Sequence, residues 1–451
     1  MSSGGGTWPT PLEVYHGRGA TGRATVHLRP APDGSAELFL NADRIVHLNP
    51  TAAAMARLAL QDVAPADAAR RLARTYRADR ARLERDYTAL RAELEGLLDP
   101  DGACPVHDLD LEVRAPFSAV PPAPYRMDLA LTYRCNDDCA HCYNARPRSH
   151  PELPTGSWRA ILDRVWAIGV PHVCFTGGEA TLRHDLPALT AHAHRLGQVV
   201  GLLTNGRRLS DAAYTRGLAA AGLDHVQVTL ESSREIVHDR MVRAAGAWKQ
   251  TVSGIRNALD AGLFVMTNTT LLADNVDHIL ETIRFLADLG VPTIGCNALI
   301  HAGHGALVGS GLPEKSLGSV LRQVRLLTDD LGLRLIWYTP TQYCHFDPVD
   351  AGLGVKGCSA ARYNMCVEPD GAVLPCQSYY TPVGNILRDP WPSIWNHELS
   401  VWLRERRYLA EACHACSLVA ECGGGCPLSP PAVSAPKAEW IPLVAAPTVE
   451  G

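Results

Sequence analysis

Three closely spaced cysteines, Cys135, Cys139 and Cys142, are the residues of this sequence best suited to redox chemistry. They form a C-x3-C-x2-C motif directly after an apolar run, Met127 to Leu131, that is typical of a strand. Three thiolates on one tight loop can hold three irons of a four-iron cluster and leave the fourth iron open to a substrate or cofactor. A structural zinc loop is the alternative, although it normally supplies four ligands. The spacing therefore favours an iron–sulfur cluster.

Further polar motifs follow successive strand-like runs downstream of the cysteines. They are Gly177-Gly178-Glu179, Thr204-Asn205-Gly206 and Thr229-Leu230-Glu231. The paired glycines allow a backbone to approach a ligand closely, and the Glu179 carboxylate can receive an ammonium group. Thr204 and Asn205 offer polar groups that suit ribose hydroxyls. Each motif is weak alone, but their order at successive strand ends indicates one binding site.

A repeated strand–helix pattern carries these motifs from residue 127 onwards. The strand-like runs are 127–132, 172–176, 199–204, 225–230, 264–271 and 293–300. The helix-like runs are 157–168, 185–196, 211–221, 248–261, 276–289 and about 313–331. Six such units predict an α/β fold, a parallel sheet in a partial (β/α)6 barrel of the TIM type. In such folds the chemistry lies at the C-terminal strand ends, where the cysteine motif begins.

The order C-x3-C-x2-C, Gly-Gly-Glu and Thr-Asn-Gly on a βα barrel resembles the radical S-adenosylmethionine (SAM) superfamily over about residues 127–340. The resemblance implies that Cys135, Cys139 and Cys142 ligate a four-iron cluster whose open iron chelates SAM. It implies further SAM contacts from His141, Gly177, Gly178, Glu179, Thr204, Asn205 and Thr229. SAM would be cleaved to methionine and a 5′-deoxyadenosyl radical, which abstracts hydrogen from a substrate. Ala180 replaces a proline common in the family, a change expected to have little effect.

Eight of the fourteen cysteines lie between Cys344 and Cys426. Six of them form the pattern C-x12-G-x4-C, from Cys358 to Cys376, and then C-x2-C-x5-C-x3-C, from Cys413 onwards. A pair of zinc knuckles is one explanation. The whole pattern resembles the SPASM domain of peptide-modifying radical SAM enzymes, which holds two auxiliary four-iron clusters. Three four-iron clusters are therefore expected, one of them with SAM.

The SPASM resemblance divides these cysteines between two clusters. Cys358, Cys376 and Cys426 would serve the first auxiliary cluster, and Cys413, Cys416 and Cys422 the second. The last cysteine of the family pattern is missing, because none follows Cys426. The second cluster would then have an oxygen ligand, an open iron, or Cys344 or Cys366 as substitute, and Cys344 is also a candidate for the first. Cys174, inside a strand, is expected to be a core residue.

The first hundred residues have a different pattern. Three strands are predicted at 24–29, 36–41 and 44–48, followed by helices at about 51–60, 65–76 and 79–98. The phrase from Leu40 to Ala53, which opens a helix at Asn49-Pro50-Thr51, resembles the PqqD-like winged-helix fold. In peptide-modifying enzymes that fold binds the leader of a precursor peptide. A winged-helix DNA-binding domain is the alternative, but no helix is obviously rich in base-reading residues.

Composition sets the broad class. The 451 residues are 46% hydrophobic and 20% charged, as in a soluble globular protein with a large core. A net charge of −5 implies no nucleic-acid or membrane partner, and no long apolar run predicts a transmembrane helix. The start lacks the pattern of a secretory signal, so the cysteines are expected to be metal ligands in the cytoplasm.

Five segments are predicted along the chain. They are a leader-binding domain at 1–100, a proline-rich linker at 101–126, the radical SAM barrel at 127–340, the SPASM domain at 341–428 and a Pro/Ala-rich tail at 429–451. The glycine-rich first 20 residues are expected to be frayed. The apolar fragment 108–113 in the linker is a candidate edge strand.

Together these resemblances imply an enzyme that modifies a ribosomally synthesised precursor peptide, with a flavodoxin or ferredoxin as reductant. Its product would carry an oxidative cross-link between carbon and carbon, oxygen or sulfur. One alternative is a radical SAM/SPASM enzyme acting on a small molecule or haem-type precursor, against which the N-terminal module argues. A peptide epimerase and a zinc-bearing winged-helix regulatory protein are the others.

Overall fold

The structure, a computed structural model, describes residues 12–19, 22–41, 44–97, 120–144 and 146–429. The candidate edge strand at 108–113, the residues before 12 and the predicted tail beyond 429 lie outside these ranges. Within them, no helix combines the length and the apolar character needed to cross a lipid bilayer.

The N-terminal module is a four-stranded antiparallel sheet with three helices. The strands, in their order across the sheet, are β1 (Glu13–Gly19), β2 (Gly22–Pro30), β3 (Ala36–Leu40) and β4 (Arg44–Leu48). The helices are α1 (Pro50–Leu60), α2 (Pro65–Leu72) and α3 (Arg80–Leu97). The start of α1 is capped, because the Asn49 side chain accepts a hydrogen bond from the Ala52 N–H and Pro50 occupies the first turn.

Strand β1 corrects the predicted three-strand module. The sequence predicts frayed residues here, but β1 pairs with β2 along its whole length, from Glu13 opposite Leu28 to Gly19 opposite Gly22. The partner strand satisfies the backbone groups of a segment whose glycine-rich composition does not itself indicate a strand. Local composition therefore concealed β1.

Alternate residues of this sheet face two different layers. Val26, Leu28 and Leu38 pack with the three helices in one apolar core. On the opposite face, His27 and Arg29 are fully buried although both are polar. The module thus has a second, polar packing surface, and this surface faces the barrel.

The predicted partial barrel is confirmed as a sheet of parallel strands alternating with helices. Its strands are β5 (Arg126–Thr132), β6 (His172–Gly177), β7 (Val199–Thr204), β8 (His225–Thr229), β9 (Phe264–Thr270), β10 (Thr293–Asn297) and β11 (Arg334–Trp337). Its helices are α4 (Thr155–Ala167), α5 (Leu186–Leu196), α6 (Ala212–Ala220), α7 (Glu235–Val242), α8 (Ala247–Asp260), α9 (Ile279–Asp288) and α10 (Glu314–Asp330). Strand β11 and helix α7 add to the predicted elements. Both are short, so they carry too few periodic positions to stand out in the sequence.

The main core lies between this sheet and its helices. Leu129, Phe175 and Val226 are fully buried on the sheet side, and Ile161 and Leu189 on the helix side. The period-2 alternation of the strands turns the intervening residues towards the barrel interior.

Three further strands extend the same sheet beyond β5. Strand β12 (Asn364–Val367) runs parallel to β5, and β13 (Ala372–Leu374) and β14 (Gly384–Asn385) follow in antiparallel order. A tight turn at 368–371 joins β12 to β13, and Gly371 adopts a positive φ of 87° there. Helices α11 (Trp391–Trp395), α12 (Glu398–Arg404) and α13 (Val419–Cys422) follow. The C-terminal cysteines thus belong to a region that shares its sheet with the barrel.

A buried arginine joins the N-terminal module to the barrel. Arg29 of β2 forms an ion pair of 2.5 Å with Glu37 of β3. Its guanidinium also donates to the carbonyls of Ala123 and Gly169, at 3.1 Å each. The same group lies over the ring of Tyr125, 5.2 Å from its centre. Because a buried charge is costly unless it is paired, Arg29 fixes the module against the segment before β5 and the turn before β6.

His27 makes a second contact of this kind. Its Nε2 lies 2.7 Å from the carbonyl oxygen of Gly197, in the turn between α5 and β7, and its ring meets Trp166 edge-on. Burial lowers the pKa of His27 to about 4, so the ring is neutral at pH 7. Both anchors contact helix-to-strand turns, which lie at the N-terminal edge of the barrel strands.

We predict that Arg29→Ala destabilises the docked module by about 3–5 kcal/mol, the usual cost of leaving a buried partner charge unpaired. Glu37, with a side chain only 14% exposed, would lose its cation. Arg82→Ala is the control, because its ion pair with Asp86 joins side chains that are 71% and 51% exposed and should contribute less than about 1 kcal/mol. Urea unfolding measures both free energies, and equal losses in the two variants would contradict the proposed anchor.

The stability of the same interface should fall at acidic pH. The pKa of His27 is about 4 in the folded protein against 6.5 ordinarily, so the unfolded chain binds the proton first as the pH drops. The contribution of neutral His27 to the free energy of unfolding is complete above pH 6.5 and is lost as the pH falls towards 4. Midway between these two pH values, the loss is about 2 kcal/mol. Unfolding of wild type and His27→Gln across this range measures the effect. An identical pH slope in the two proteins would exclude a role for His27.

Candidate active site

The cysteine loop, residues 133–143, leaves the C-terminal end of β5 and has no regular secondary structure. Its backbone is held from two sides. Asp138 donates its N–H to the carbonyl of Val242 at the end of α7, at 2.9 Å. Gly305, in the turn after β10, donates to the carbonyl of Cys142 at 3.2 Å. Because the loop is irregular, these neighbours help to set the positions of its sulfurs.

Two arginines bind the first half of the loop. Arg207 donates to the Asp137 carboxylate at 2.6 Å and also to the carbonyl of Asn136. Arg148 donates to the carbonyl of Cys135 at 2.8 Å. Burial raises the pKa of Asp137, while the neighbouring Arg207 favours its charged form. These contacts hold the backbone that carries Cys135 in one conformation.

His141 ties the second half of the loop to the end of β8. Its Nε2 lies 2.9 Å from Oε1 of Glu231, whose side chain is fully buried. The other oxygen of Glu231 accepts the N–H of Thr270 at 2.8 Å. Burial lowers the pKa of His141, but the charge of Glu231 and the hydrogen bond to it outweigh burial and raise the pKa overall. The ring is thus oriented through one nitrogen, and Nδ1 has no partner among the described residues.

The three loop cysteines lie together and are partly buried. Burial raises the pKa of Cys135 to about 12 and raises those of Cys139 and Cys142 as well. Metal binding removes this penalty, because cluster ligands are thiolates. A single zinc ion would hold its sulfurs about 3.8 Å apart, but no three cysteine sulfurs of the described residues lie within 4.8 Å of one another. The donor set fits the wider four-iron cluster better than zinc.

The paired glycines after β6 pack against the start of the cysteine loop. A Cβ at Gly177 would lie 2.0 Å from the carbonyl oxygen of Thr132, and one at Gly178 would lie 2.5 Å from that of Arg134. Gly177 also has a φ of 137°, which other residues rarely adopt. Backbone hydrogen bonds of 2.7 and 2.8 Å join residues 178–179 to this stretch. Only glycine permits this contact, which places the Gly-Gly-Glu motif against the loop.

The Glu179 carboxylate is buried and nearly saturated with donors. Its Oε1 accepts the Thr181 N–H, the Thr181 hydroxyl and the Thr204 hydroxyl, at distances between 2.7 and 3.0 Å. Within the described part of the chain, its Oε2 accepts only the N–H of Asn205, at 2.8 Å. Burial raises the pKa of Glu179, and these donors oppose the shift. An ammonium group would therefore bind at Oε2, which keeps a free lone pair.

Thr204 and Asn205 lie at the end of β7, as the sequence predicts. The Thr204 hydroxyl is used by Glu179. The Asn205 side chain donates to Oδ1 of Asn136 at 2.7 Å and so contacts the cysteine loop. Thr229 lies half-buried at the end of β8. The predicted residues thus lie on successive strand ends at one edge of the barrel.

Sequence analysis gave no role to Asp137 or Arg207, and it placed Glu231 in the motif Thr229-Leu230-Glu231 without a role of its own. Glu231 stands two positions after Thr229 at a strand end, and that position was the available signal. Arg207 and Asp137 are 70 residues apart in the chain. No local pattern connects such a pair, so only the fold reveals it.

One group of C-terminal cysteines contains Cys358, Cys376 and Cys426. Burial raises the pKa of Cys358, and the Cys426 and Cys376 thiols add to the shift, so the three are neighbours. Cys358 and Cys376 border an apolar cluster that includes Tyr379 and Trp402. The structure therefore brings together the residues assigned to the first auxiliary cluster.

A second group contains Cys413, Cys416 and Cys422, with Cys344 beside it. The Cys416 N–H donates to the carbonyl of Cys413 at 3.1 Å in a tight turn. Burial raises the pKa of Cys344, and the thiols of Cys422 and Cys413 add to that shift. Cys416 and Cys344 are exposed. The structure thus gathers four cysteines here.

The three other cysteines of the described residues, Cys174, Cys296 and Cys366, lie in strands. Cys366 is fully buried in β12, where it packs with Ala130, Tyr133 and Leu374. Cys174 in β6 is buried as well, as predicted for a core residue.

The C-terminal region contacts the cysteine loop directly. Arg146 donates to both carboxylate oxygens of Glu368, at 2.7 and 2.9 Å, and Tyr133 donates to the same group at 3.1 Å. The hydroxyl of Tyr143 donates to Oε1 of Gln377 at 2.5 Å. Tyr143 follows the third loop cysteine and Gln377 follows the second SPASM cysteine, so one hydrogen bond links the two metal-binding regions.

Comparisons with known families match three parts of the chain. Residues 129–286 match the radical SAM superfamily, and residues 358–417 match the SPASM iron–sulfur cluster-binding domain. Residues 38–97 match coenzyme PQQ synthesis protein D (PqqD). These matches fall on the barrel, the C-terminal cysteines and the N-terminal module.

Two characterised relatives differ in their substrates. The chain is 30% identical over 316 residues to a PqqA peptide cyclase of Streptomyces rochei, across 67% of this chain and 84% of the relative. It is 29% identical over 328 residues to an Fe-coproporphyrin III synthase of Methanosarcina barkeri, across 65% of this chain and 81% of the relative. These similarities give the family but not the substrate.

Solved structures share the fold. SuiB of Streptococcus suis, bound to S-adenosylmethionine, has a TM-score of 0.65 at 15% identity, over 93% of this chain and 96% of SuiB. The protein anSMEcpe with bound AdoMet has a TM-score of 0.55 at 16% identity, over 68% of this chain and 90% of that protein. With its cysteine loop and Gly-Gly-Glu motif joined at one barrel edge, the chain belongs to the radical SAM superfamily, as an enzyme with SAM and iron–sulfur cofactors and with SPASM and PqqD domains.

Proposed function

We propose that this radical SAM enzyme modifies a ribosomally synthesised precursor peptide, which its N-terminal module captures by the leader, and that it forms an oxidative cross-link. The outer edge of β4, which pairs with no other strand of the described residues, lies in a PqqD-type module fixed to the barrel and is the observation that carries the proposal. The comparisons support a peptide, since one relative is named a PqqA peptide cyclase and SuiB has also been solved bound to the precursor peptide SuiA.

Strand β4 is suited to bind an extended peptide. It is the last strand in the sheet order and, among the described residues, it pairs only with β3. Val46 and Leu48 are buried against the helices, and α1 packs against the strand. Ile45 faces the other way and is 37% exposed. An unpaired edge of this kind is a template for one more strand, whose backbone gives affinity and whose side chains give register.

The module contacts the N-terminal ends of the barrel strands, whereas the cysteine loop lies at their C-terminal ends. His27 and Arg29 contact turns that precede β7 and β6, whereas the cysteine loop follows β5. A strand of six residues, such as β6, spans about 20 Å. A peptide held at β4 and modified at the cluster must cross at least this distance, which needs about six extended residues. The modified residues should therefore lie at least that far from the bound leader segment.

In the barrel site, Cys135, Cys139 and Cys142 would hold the SAM-binding cluster. When bound, cluster and SAM supply a 5′-deoxyadenosyl radical for hydrogen abstraction. The chain's own part is positional: Arg207 and Glu231 hold the loop, and Oε2 of Glu179 receives the ammonium group of SAM. The proposed SAM contacts also include His141, Gly177, Gly178, Thr204, Asn205 and Thr229.

The remaining assignments extend this proposal. Two auxiliary clusters, which bring the total to three, would accept the second electron from the substrate. A flavodoxin or ferredoxin would supply the first, in the reducing cytoplasm that free thiols require, and nucleic acid would take no part. The functional segments are leader binding at 1–100, linker at 101–126, barrel at 127–340, auxiliary clusters at 341–428 and tail at 429–451.

A haem-type precursor is the competing substrate, because an Fe-coproporphyrin III synthase is nearly as similar to this chain as the peptide cyclase is. A small substrate needs no strand edge for a leader, which is why a peptide is preferred. A peptide epimerase would use the same parts without forming a bond.

The decisive experiment is the anaerobic reaction of the reconstituted enzyme with the short peptide encoded beside its gene. Mass spectrometry should show the loss of two hydrogen atoms for a cross-link, whereas epimerisation leaves the mass unchanged. Turnover of a coproporphyrin with no change in any neighbouring peptide would overturn the proposal.

We predict that Cys135→Ala, Cys139→Ala and Cys142→Ala each abolish 5′-deoxyadenosine formation under dithionite, because a cluster that lacks a ligand is labile. Cys174→Ala, which removes a buried thiol within β6, should keep most of the wild-type rate. Liquid chromatography of the products measures the rate. Full activity in any of the three loop variants would contradict the ligand assignment.

For the leader site, Ile45→Asp should weaken binding of the precursor peptide at least about tenfold, because a carboxylate then replaces an apolar contact beside the added strand. Phe264→Asp is the matched control, since Phe264 is an exposed apolar strand residue of the barrel. Fluorescence anisotropy of labelled precursor measures affinity, and the melting temperature confirms that both variants fold. Equal affinity in the two variants would argue against leader capture at β4.

A further inference from the structure

The second auxiliary cluster has an incomplete set of cysteines in the SPASM pattern. Cys413, Cys416 and Cys422 supply three thiols, and no cysteine follows Cys426 in the sequence. A four-iron cluster has four positions for terminal ligands. In this sequence, a fourth thiolate for this cluster would therefore have to come from a part of the chain before Cys413.

The segment just before Cys344 lies directly on this group. The N–H of Tyr343 donates to the sulfur of Cys422 at 3.4 Å. The thiol of Cys422 lies 3.6 Å from the carbonyl oxygen of Thr341. Two backbone groups within three residues of Cys344 thus contact one of the cysteines assigned to the second cluster.

The same segment is anchored on both sides of Cys344. Glu314, at the start of α10, accepts the N–H of Gln342 at 2.8 Å, and its other oxygen lies 2.7 Å from Nδ1 of His345. The Gln342 side chain donates to the carbonyl of Gly424 at 3.3 Å. These contacts hold Cys344 in a defined turn against the loop that carries Cys422.

The two candidate substitutes, Cys344 and Cys366, lie in different surroundings. The thiols of Cys422 and Cys413 add to the raised pKa of Cys344, after burial. Cys366, in contrast, is enclosed in the sheet by apolar residues of β5 and β13. Cys344 is exposed beside a group that lacks one ligand, whereas Cys366 is enclosed within the core.

We propose that Cys344 is the fourth ligand of the second auxiliary cluster, together with Cys413, Cys416 and Cys422. This proposal rests on the auxiliary clusters of the proposed function. Four thiolates close the coordination of the cluster, so it has no open iron for a substrate and serves electron transfer alone. Any open iron among the auxiliary clusters then belongs to the first, on Cys358, Cys376 and Cys426.

The test counts iron in full-length protein that already carries alanine at 135, 139 and 142, so that only the auxiliary clusters remain. Cys344→Ala in this background should lower the iron content by up to about four per chain and change the electron paramagnetic resonance spectrum. His345→Ala is the matched control, because it disturbs the same turn and keeps the sulfur. Unchanged iron and spectrum in Cys344→Ala would overturn the assignment.

Double variants identify the cluster. Cys344→Ala added to Cys413→Ala should cause no further iron loss, whereas added to Cys358→Ala it should. The reverse result would place Cys344 on the first cluster and overturn the proposal. A Cys344–Cys422 disulfide in anaerobically purified protein would overturn it too. Absence of all iron in the parent background would instead remove the auxiliary clusters themselves, and peptide modification is measured separately.

Discussion

The contact between His141 and Glu231 is the interaction on which the geometry of the candidate site most depends. The cysteine loop has no regular structure, and ordering each of its residues costs about 1–2 kcal/mol in backbone entropy. Glu231 is itself fixed, since Thr270 donates to its carboxylate and Asn275 to its carbonyl, at 2.8 Å each. Residues at the ends of the barrel strands thus hold the loop in place, and this restricts the positions of its sulfurs.

The C-terminal region depends on the same loop. Strand β12 extends the barrel sheet, and Glu368 at its end accepts hydrogen bonds from Arg146 and Tyr133 on either side of the cysteines. A carboxylate that is 1% exposed requires such partners, so the contact is strongly specified. The region that carries Cys358 and Cys376 is therefore joined to the cysteine loop by the sheet and by hydrogen bonds, an arrangement that suits the electron transfer of the proposed function.

The N-terminal module is attached by a different principle. Its own core is apolar, but its contact with the barrel uses the fully buried polar side chains of His27 and Arg29. Polar contacts of this kind add little net stability, but they penalise every misaligned orientation. The module is thereby fixed at the barrel edge opposite the cysteines. In the proposed function, the leader is captured beside the N-terminal ends of the barrel strands, and the chemistry occurs at their C-terminal ends.

Features set by neighbouring residues could be predicted from the sequence alone: the longer helices and most strands, the cysteine loop at a strand end, and the Gly-Gly-Glu motif. Their periodicities and spacings are local, so they can be recognised without knowing which distant residues they contact. Strand β1, the Arg207–Asp137 pair, the role of Glu231 and the position of Cys344 could not be predicted. Strand β1 pairs with the neighbouring β2, but its glycine-rich composition does not indicate a strand. The other three features depend on residues far apart in the chain, and only the packed tertiary structure decides which distant groups meet.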